Sequence, residues 1–534
     1  MHGCGRELRE THISWVLLAG DRAYKIKKPL RLPFLDYGSL DRRHALCREE
    51  VRLNRRLAPD VYLGVRAIVR DPDGGIRLAG DDDPGAVEYA VEMRRYDERA
   101  TLARRLDAGT AGERAVRAVG RRLASFHAGA ALPANPERAV TALEAMLREN
   151  FATLRDLDAD PAHRARIDDA EQLAGAVLAG RRDELHRRAA AGLVRDGHGD
   201  LRAEHVVLER GIEIVDCVEF DPALREIDVG LDLAFLAMDL MRRDERLASA
   251  LVSAYREAGG DPGDDALVGF FAAQRALIRA KVALMRAGQV GGADAARRRA
   301  DAAALLDLAG RLGWCVRLGA AAIVCGVAAG GKSTLASALA ERTGATVLSS
   351  DRVRKELVGV PPTERAPAKA YDTAVNRRTY EALGQRAREQ IEAGGRVIVD
   401  ATFRFAADRR AFTAALGPAA GGLLWIECRA PVAVRVRRAT ERARHAAGTS
   451  DAGAAVARLQ AEQWETLDEV PAERHVTVDT DRDAPAVIAA ARDALDARLR
   501  IPAANYAPGR GTGADGAHSR SPYGPCMPHV HTFR

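Results

Sequence analysis

Residues 321–335, AAIVCGVAAGGKSTL, decide the fold of the second half of this 534-residue chain. Five apolar residues run into GVAAGGKS, which satisfies G-x-x-x-x-G-K-[ST] from Gly326 to Ser333, and an Ala/Leu-rich helical stretch follows. Strand, glycine loop and helix in that order form a phosphate cradle. Gly326, Gly330 and Gly331 allow backbone N–H groups to close around phosphate oxygens, and the helix N-terminus adds its partial positive charge. Lys332 is expected to span the β- and γ-phosphates of ATP, with Ser333 on Mg²⁺ and Thr334 completing the loop.

Further apolar runs at 345–349 (ATVLS), 397–401 (VIVDA), 423–427 (LLWIE) and 476–479 (VTVD) alternate with helical segments. That alternation predicts a parallel sheet covered by helices, an α/β P-loop NTPase domain. In such sheets the strand C-terminal ends face the ligand crevice. Asp351, just after LSS, is therefore a candidate base for a substrate hydroxyl, and Asp400, at the end of VIVD, a candidate holder of the Mg²⁺ shell. The basic stretch VRVRRATERARHAAGTSDA carries Arg438 and Arg442 and has the character of a lid over phosphates.

Over about residues 320–500 the chain resembles the small P-loop kinases of the gluconate kinase, adenylate kinase and polynucleotide 5′-hydroxyl kinase group. By that resemblance Asp351 matches the position of the base in polynucleotide-type kinases.

Upstream, Ser14–Leu18 and Arg22–Lys27 flank Ala19-Gly20-Asp21 as a hairpin, a helix is expected from Ser39 to Leu57, and VEYAVEM (87–93) has strand character. Val116, Val119, Leu123 and Phe126 recur at helical spacing, and a mostly helical lobe extends to Gly313, interrupted by short apolar runs near 193–220. Within that interruption lie HGDLRAEHVVLE (198–209) and IVDCVEFD (214–221). A loop of the form H-G-D-x-x-x-x-N followed by a strand ending in Asp places one carboxylate near an acceptor hydroxyl and another on a metal. Asp200 and Asp216 fit those two places.

Residues 10–310 thus resemble the aminoglycoside phosphotransferase and choline kinase family, which implies an α+β, bilobal, protein-kinase-like domain. The resemblance also implies that a lysine of the strand AYKIKKP fixes the α- and β-phosphates and that Glu50 pairs with it. Strand alternation turns Lys25 and Lys27 the same way and does not separate them. His205 stands where that family has a metal-binding Asn, so a weaker Mg²⁺ site, or one that takes Mn²⁺, is implied. The pairing of two such modules is similar to a family of bacterial two-domain proteins in which a phosphotransferase module precedes an ATPase module. The expected division is 1–313, 314–501 and a Pro/Gly/His-rich disordered tail at 502–534.

Composition narrows the alternatives. Hydrophobic residues make up 47% and charged residues 29%, the balance of a folded soluble protein, and neither a membrane span nor a secretory leader is legible. Seven scattered cysteines without C-x-x-C spacing suit a reducing compartment, so a cytoplasmic location is expected. The net charge of +6 allows a nucleic-acid partner, but 5% aromatic content without basic-aromatic interleaving does not favour one. Of 81 basic residues 74 are Arg, so a retained Lys, above all the three of one strand and the one in the phosphate loop, is a candidate for a place where a compact ammonium is needed. These features predict an ATP-dependent phosphotransferase with two nucleotide sites acting on a small-molecule hydroxyl. The alternative is a first domain that binds nucleotide as a pseudokinase and regulates the second. The sequence carries no code for the acceptor or the oligomeric state.

Overall fold

The computed structural model describes residues 6–11, 13–32, 35–444 and 454–501. The chain divides into two compact units between Val316 and Arg317. The expected tail at 502–534 lies outside the described residues.

The first unit is an antiparallel sheet with one helix, followed by a helical lobe. The six strands run in the order Arg6–Glu10, Ser14–Ala19, Arg22–Lys27, Ala86–Arg94, Tyr62–Arg70, Ile76–Ala79. Gly20, with φ of 61°, supplies the left-handed turn that joins Ala19 to Arg22. The helix Leu40–Asn54 starts where the Ser39 side chain accepts the Arg42 N–H, and buries Cys47 and Val51 against Val69, Tyr89 and Val91 of the sheet. A strand does precede Ser14, although RELRE has no apolar alternation.

In the helical lobe, Val116, Val119, Leu123 and Phe126 all lie on the buried face of the helix Glu113–Gly129, as their spacing predicts. The helix Val229–Met241 is apolar nearly all round and accordingly buried on nearly all sides, apart from the carboxylate Asp232 that it carries inward. Two short antiparallel ribbons, Val194–Asp196 with Glu226–Asp228 and Val206–Val207 with Glu213–Ile214, hold the loop 197–205 between them.

The second unit carries a five-stranded parallel sheet in the order Thr346–Ser349, Val397–Asp400, Ala321–Cys325, Leu424–Arg429, His475–Asp479. Its central strands are buried at every position, or all but the last, because helices cover both faces, and they read as continuous apolar runs for that reason. Arg317 and Asp496, both fully buried, pair at 2.7 and 3.0 Å and tie the start of this unit to its last helix, Ala484–Leu499. No helix among the described residues is long and apolar enough to cross a membrane. The five described cysteines are buried thiols.

Candidate active sites

In the first unit the strand Arg22–Lys27 and the helix Leu40–Asn54 meet in a buried ion cluster. Lys25 Nζ lies 2.8 Å from Glu50 Oε1 and 2.9 Å from Asp216 Oδ1. Lys27 Nζ reaches the other Glu50 oxygen at 2.6 Å and also pairs with Glu219, which in turn accepts the Tyr37 hydroxyl at 2.7 Å. Both lysines do point the same way, but at different depths. Lys27 is sealed in, with no exposed side-chain surface, whereas Lys25 is 15% exposed and faces the strand-end carboxylate. Burial works against the charge on Lys25, yet Asp216 and Glu50 outweigh it and hold its pKa well above the ordinary lysine value. The same contact drives Asp216 far below the usual carboxylate range. Asp216 has φ of 65°, a left-handed conformation that Asp tolerates better than most residues and that concentrates at functional sites.

The loop 197–205 is fixed from below by Asp232, whose two oxygens accept the N–H groups of His198 (2.7 Å) and Gly199 (2.9 Å) while His127 Nε2 sits 3.1 Å away. His198 is entirely buried, its Nε2 lies 3.0 Å from the Val215 carbonyl oxygen, and burial pushes its imidazole down to about 4, so it is neutral at physiological pH. That anchoring presents Asp200, whose Oδ2 accepts a hydrogen bond from Arg202 Nε at 3.0 Å. His205 takes part through both nitrogens: Nδ1 is 2.9 Å from the Asp200 carbonyl, and Nε2 is 2.7 Å from Arg202 Nη2 and 3.6 Å from Asp216 Oδ2. Since a guanidinium only donates, Nε2 accepts and the neutral tautomer carries its proton on Nδ1. Lys25, Lys27, Glu50, Asp200, His205 and Asp216 thus belong to one connected cluster of side chains. Arg202, Tyr37 and Glu219 complete it and were not singled out by the sequence motifs.

The two lysines should separate experimentally. Lys27→Met leaves Glu50 and Glu219 buried with one cation fewer, an uncompensated buried charge that costs about 3–5 kcal/mol. Urea unfolding of the full chain should show the first transition weakened by that amount. Lys25→Met should cost less stability, because Lys27 still serves Glu50, while weakening ATP binding. Equal stability losses would contradict the assignment of depth.

In the second unit the loop takes the shape its glycines permit. Gly331 has φ of 86° and opens the helix Lys332–Thr343, and a Cβ on Gly326 would come within 2.6 Å of the Cys428 carbonyl oxygen. Ser333 Oγ donates to Asp400 Oδ2 at 2.6 Å, joining the loop to the neighbouring strand end. A cavity of about 1090 Å³ opens over Gly330, Gly331, Lys332, Ser333 and Thr334, and its wall includes Asp351, Asp400 and Arg438. Gly326 lies behind the loop rather than on the cavity wall. Arg438 Nη2 donates to the Thr480 carbonyl at 2.7 Å, and the Thr480 hydroxyl donates to Gly330 O at 2.8 Å. Thr480, absent from the sequence motifs, therefore braces both the loop and the arginine. The side chain of Arg442 and residues 445–453 of the expected lid lie outside the described residues.

Oxygen donors suit Mg²⁺ and imidazole suits it poorly. Ser333 and Asp400 present such donors side by side and fit the ion that a P-loop requires. In the first unit, Asp216 Oδ1 is held by Lys25 and the facing His205 Nε2 is held by Arg202, an arrangement that does not fit Mg²⁺. Among the described residues no group of three or more His, Cys, Asp and Glu side chains forms a metal cluster.

The architecture is that of an antiparallel sheet with a helical lobe, followed by a five-stranded parallel α/β unit that carries a phosphate loop. A family model described as an AAA domain matches residues 322–467. Uncharacterized proteins of Mycobacterium tuberculosis and Mycobacterium bovis are each 35% identical to this chain over 477 residues, covering 86% of it and 91% of the relative. The chain belongs to the family of these mycobacterial proteins. Among solved structures, similarity is found to a gluconokinase from Sinorhizobium meliloti 1021 (22% identity, TM-score 0.26, covering 34% of this chain and 95% of that one). A choline/ethanolamine kinase family protein from Mesorhizobium loti is similar at 17% identity and TM-score 0.35, over 57% of this chain and 90% of that one.

Proposed function

We propose that the chain is an ATP-dependent phosphotransferase with one nucleotide site in each unit, transferring a γ-phosphoryl group to an alcohol. The observation that supports this is that each unit brings a lysine and a carboxylate into one group: Lys332 and Asp351 line one cavity, and Lys25 is linked to Asp200 through Asp216 and His205. In the second unit the N–H groups of the loop and Lys332 bind the phosphates, and Asp351 takes the proton of the acceptor hydroxyl. Mg²⁺, held by Ser333 and Asp400, supplies neutralisation of the charge that develops on the phosphate oxygens. In the first unit Lys25, fixed by Glu50, orients the α- and β-phosphates, and Asp200 receives the proton. Lys332→Ala tests the assignment: charge-assisted contacts to phosphate are worth about 1.5–3 kcal/mol each, so ATP affinity at that site should fall by roughly 10²-fold while the unit stays folded. Unchanged affinity in a folded variant would sink it.

One observation favours a second reading for the first unit, that it binds ATP and regulates its neighbour. Arg202 occupies the His205 nitrogen that faces Asp216. His205→Asn exchanges that nitrogen for an oxygen donor and should raise Mg²⁺-dependent turnover of the first unit, measured with the second silenced by Lys332→Ala. If the parent turns over briskly in Mg²⁺ and the Asn variant loses activity, His205 is a working group and the regulatory reading falls.

A further inference from the structure

Three aspartates stand on the wall of the cavity in the second unit, and they differ in what holds them. Asp400 accepts from Ser333 at 2.6 Å, and Asp351 has Arg354 Nη1 at 3.7 Å. Asp408 lines the cavity from the first turn of the helix Ala406–Leu416 and is half-buried. Among the described residues its carboxylate makes no hydrogen bond and no ion pair. A carboxylate drawn away from water without a donor is costly.

The backbone that carries Asp408 is fixed by buried partners. Phe403, five residues before it, has φ of 53°, an outlier for a bulky side chain, and the core holds it there. Its ring centre lies 5.2 Å from that of Phe412 and 5.1 Å from that of Trp425, and its N–H donates to the Tyr380 hydroxyl at 3.1 Å. Arg409, next to Asp408, donates to the Phe403 carbonyl at 2.9 Å.

The neighbours narrow what Asp408 would bind. Arg354, 6% exposed, lines the same cavity; its Nη2 donates to Asn376 Oδ1 at 2.8 Å, its guanidinium lies 4.7 Å from the Tyr371 ring centre, and its Nε has no acceptor. Arg404, also on the wall, donates to Gln463 Oε1 at 2.9 Å. Burial lifts the Asp408 carboxyl above the ordinary aspartate range, with Arg354, Arg404 and Arg409 opposing and Glu465 adding. These arginines disfavour an ammonium beside Asp408. An alcohol with a single hydroxyl, spent on the reaction, would cover Asp408 and leave it without a donor. A second hydroxyl satisfies both sides, since it donates to a carboxylate and its oxygen accepts from a guanidinium. The Tyr380 hydroxyl, whose oxygen is held by Phe403, keeps its proton for a further ligand oxygen.

We propose that Asp408 binds a second hydroxyl of the acceptor, so that the second unit acts on a polyol. This rests on the phosphotransferase reading of that unit. In the step, the reacting hydroxyl oxygen bonds to the γ-phosphorus, the bond from that phosphorus to the β–γ bridging oxygen breaks, ADP leaves, and the proton passes to Asp351. The hydroxyl on Asp408 stays bound and unreacted.

The test uses the full chain with Asp200→Asn, which removes the base proposed for the first unit and leaves the second unit intact. Transfer of labelled γ-phosphate from ATP is measured to glycerol, erythritol, ribitol and sorbitol, with 1-butanol as the monohydric control and choline as the cationic one. Transfer to the polyols alone is expected. Asp408→Ala should then raise the KM for the polyol roughly 10- to 10²-fold, through loss of a hydrogen bond to a charged group, while kcat and the KM for ATP stay within about threefold. Asp408→Asn keeps an acceptor oxygen and should recover part of that loss, whereas a merely structural Asp408 would move kcat or the urea midpoint instead. Phosphorylation of 1-butanol as readily as of the polyols, a preference for choline, or a polyol KM indifferent to Asp408→Ala overturns the proposal and leaves the phosphotransferase reading standing. If ATP binds through Lys332 and none of these alcohols is phosphorylated, the phosphotransferase reading of the second unit falls, and this proposal with it.

Discussion

Asp351→Asn in the second unit is expected to lower turnover by roughly 10²- to 10⁴-fold, the usual worth of a general base, with ATP affinity held within a factor of about two. Asp351 sits in the first turn of the helix Ser350–Leu357 and lines the same cavity as Lys332, Ser333 and Asp400. Asn keeps the shape of the side chain and can still accept a hydrogen bond, but it cannot take the acceptor's proton. Ser333 and Asp400 already hold one another at 2.6 Å, so the nucleotide end of the cavity does not depend on Asp351. Steady-state kinetics beside calorimetry of ATP separate the outcomes. A parallel fall in affinity and turnover makes Asp351 structural or metal-linked.

Asp200→Asn, placed in a Lys332→Ala chain so that only the first unit can act, should likewise reduce turnover by roughly 10²- to 10⁴-fold. The loop that presents Asp200 is held by backbone N–H bonds to Asp232 and by the His198 to Val215 contact, none of which uses the Asp200 side chain. ATP binding through Lys25 should therefore persist. Retained turnover in the Asn variant would remove Asp200 from the chemistry.

The sequence made the phosphate loop plain because its backbone is demanding: a Cβ at Gly326 or Gly330 would strike a carbonyl oxygen, and only one residue type avoids that. Parallel strands were equally plain, since burial on both faces writes them as unbroken apolar runs. Strands exposed on one face of the first unit were harder. RELRE at 6–10 and YLGVRAIVR at 62–70 carry arginines at positions where a half-solvated sheet tolerates them, and their pairing depends on neighbours distant in the chain.

The charge cluster of the first unit was legible by residue type but not by depth. Alternation turns Lys25 and Lys27 the same way, yet only the tertiary arrangement of Glu219 and Tyr37 closes over Lys27 and leaves Lys25 facing Asp216. A buried charge needs a partner, so Glu219, three residues beyond Asp216 in a mostly apolar run, was a signal that went unused.

The central claim is that two nucleotide sites operate in one chain. Equilibrium calorimetry of the imido analogue of ATP with the full-length protein tests it directly. Two sites per chain are expected, that of the second unit weakened roughly 10²-fold by Lys332→Ala and that of the first weakened by Lys25→Met, each substitution leaving the other site unchanged. A single site that disappears with Lys332→Ala and is indifferent to Lys25→Met would contradict it.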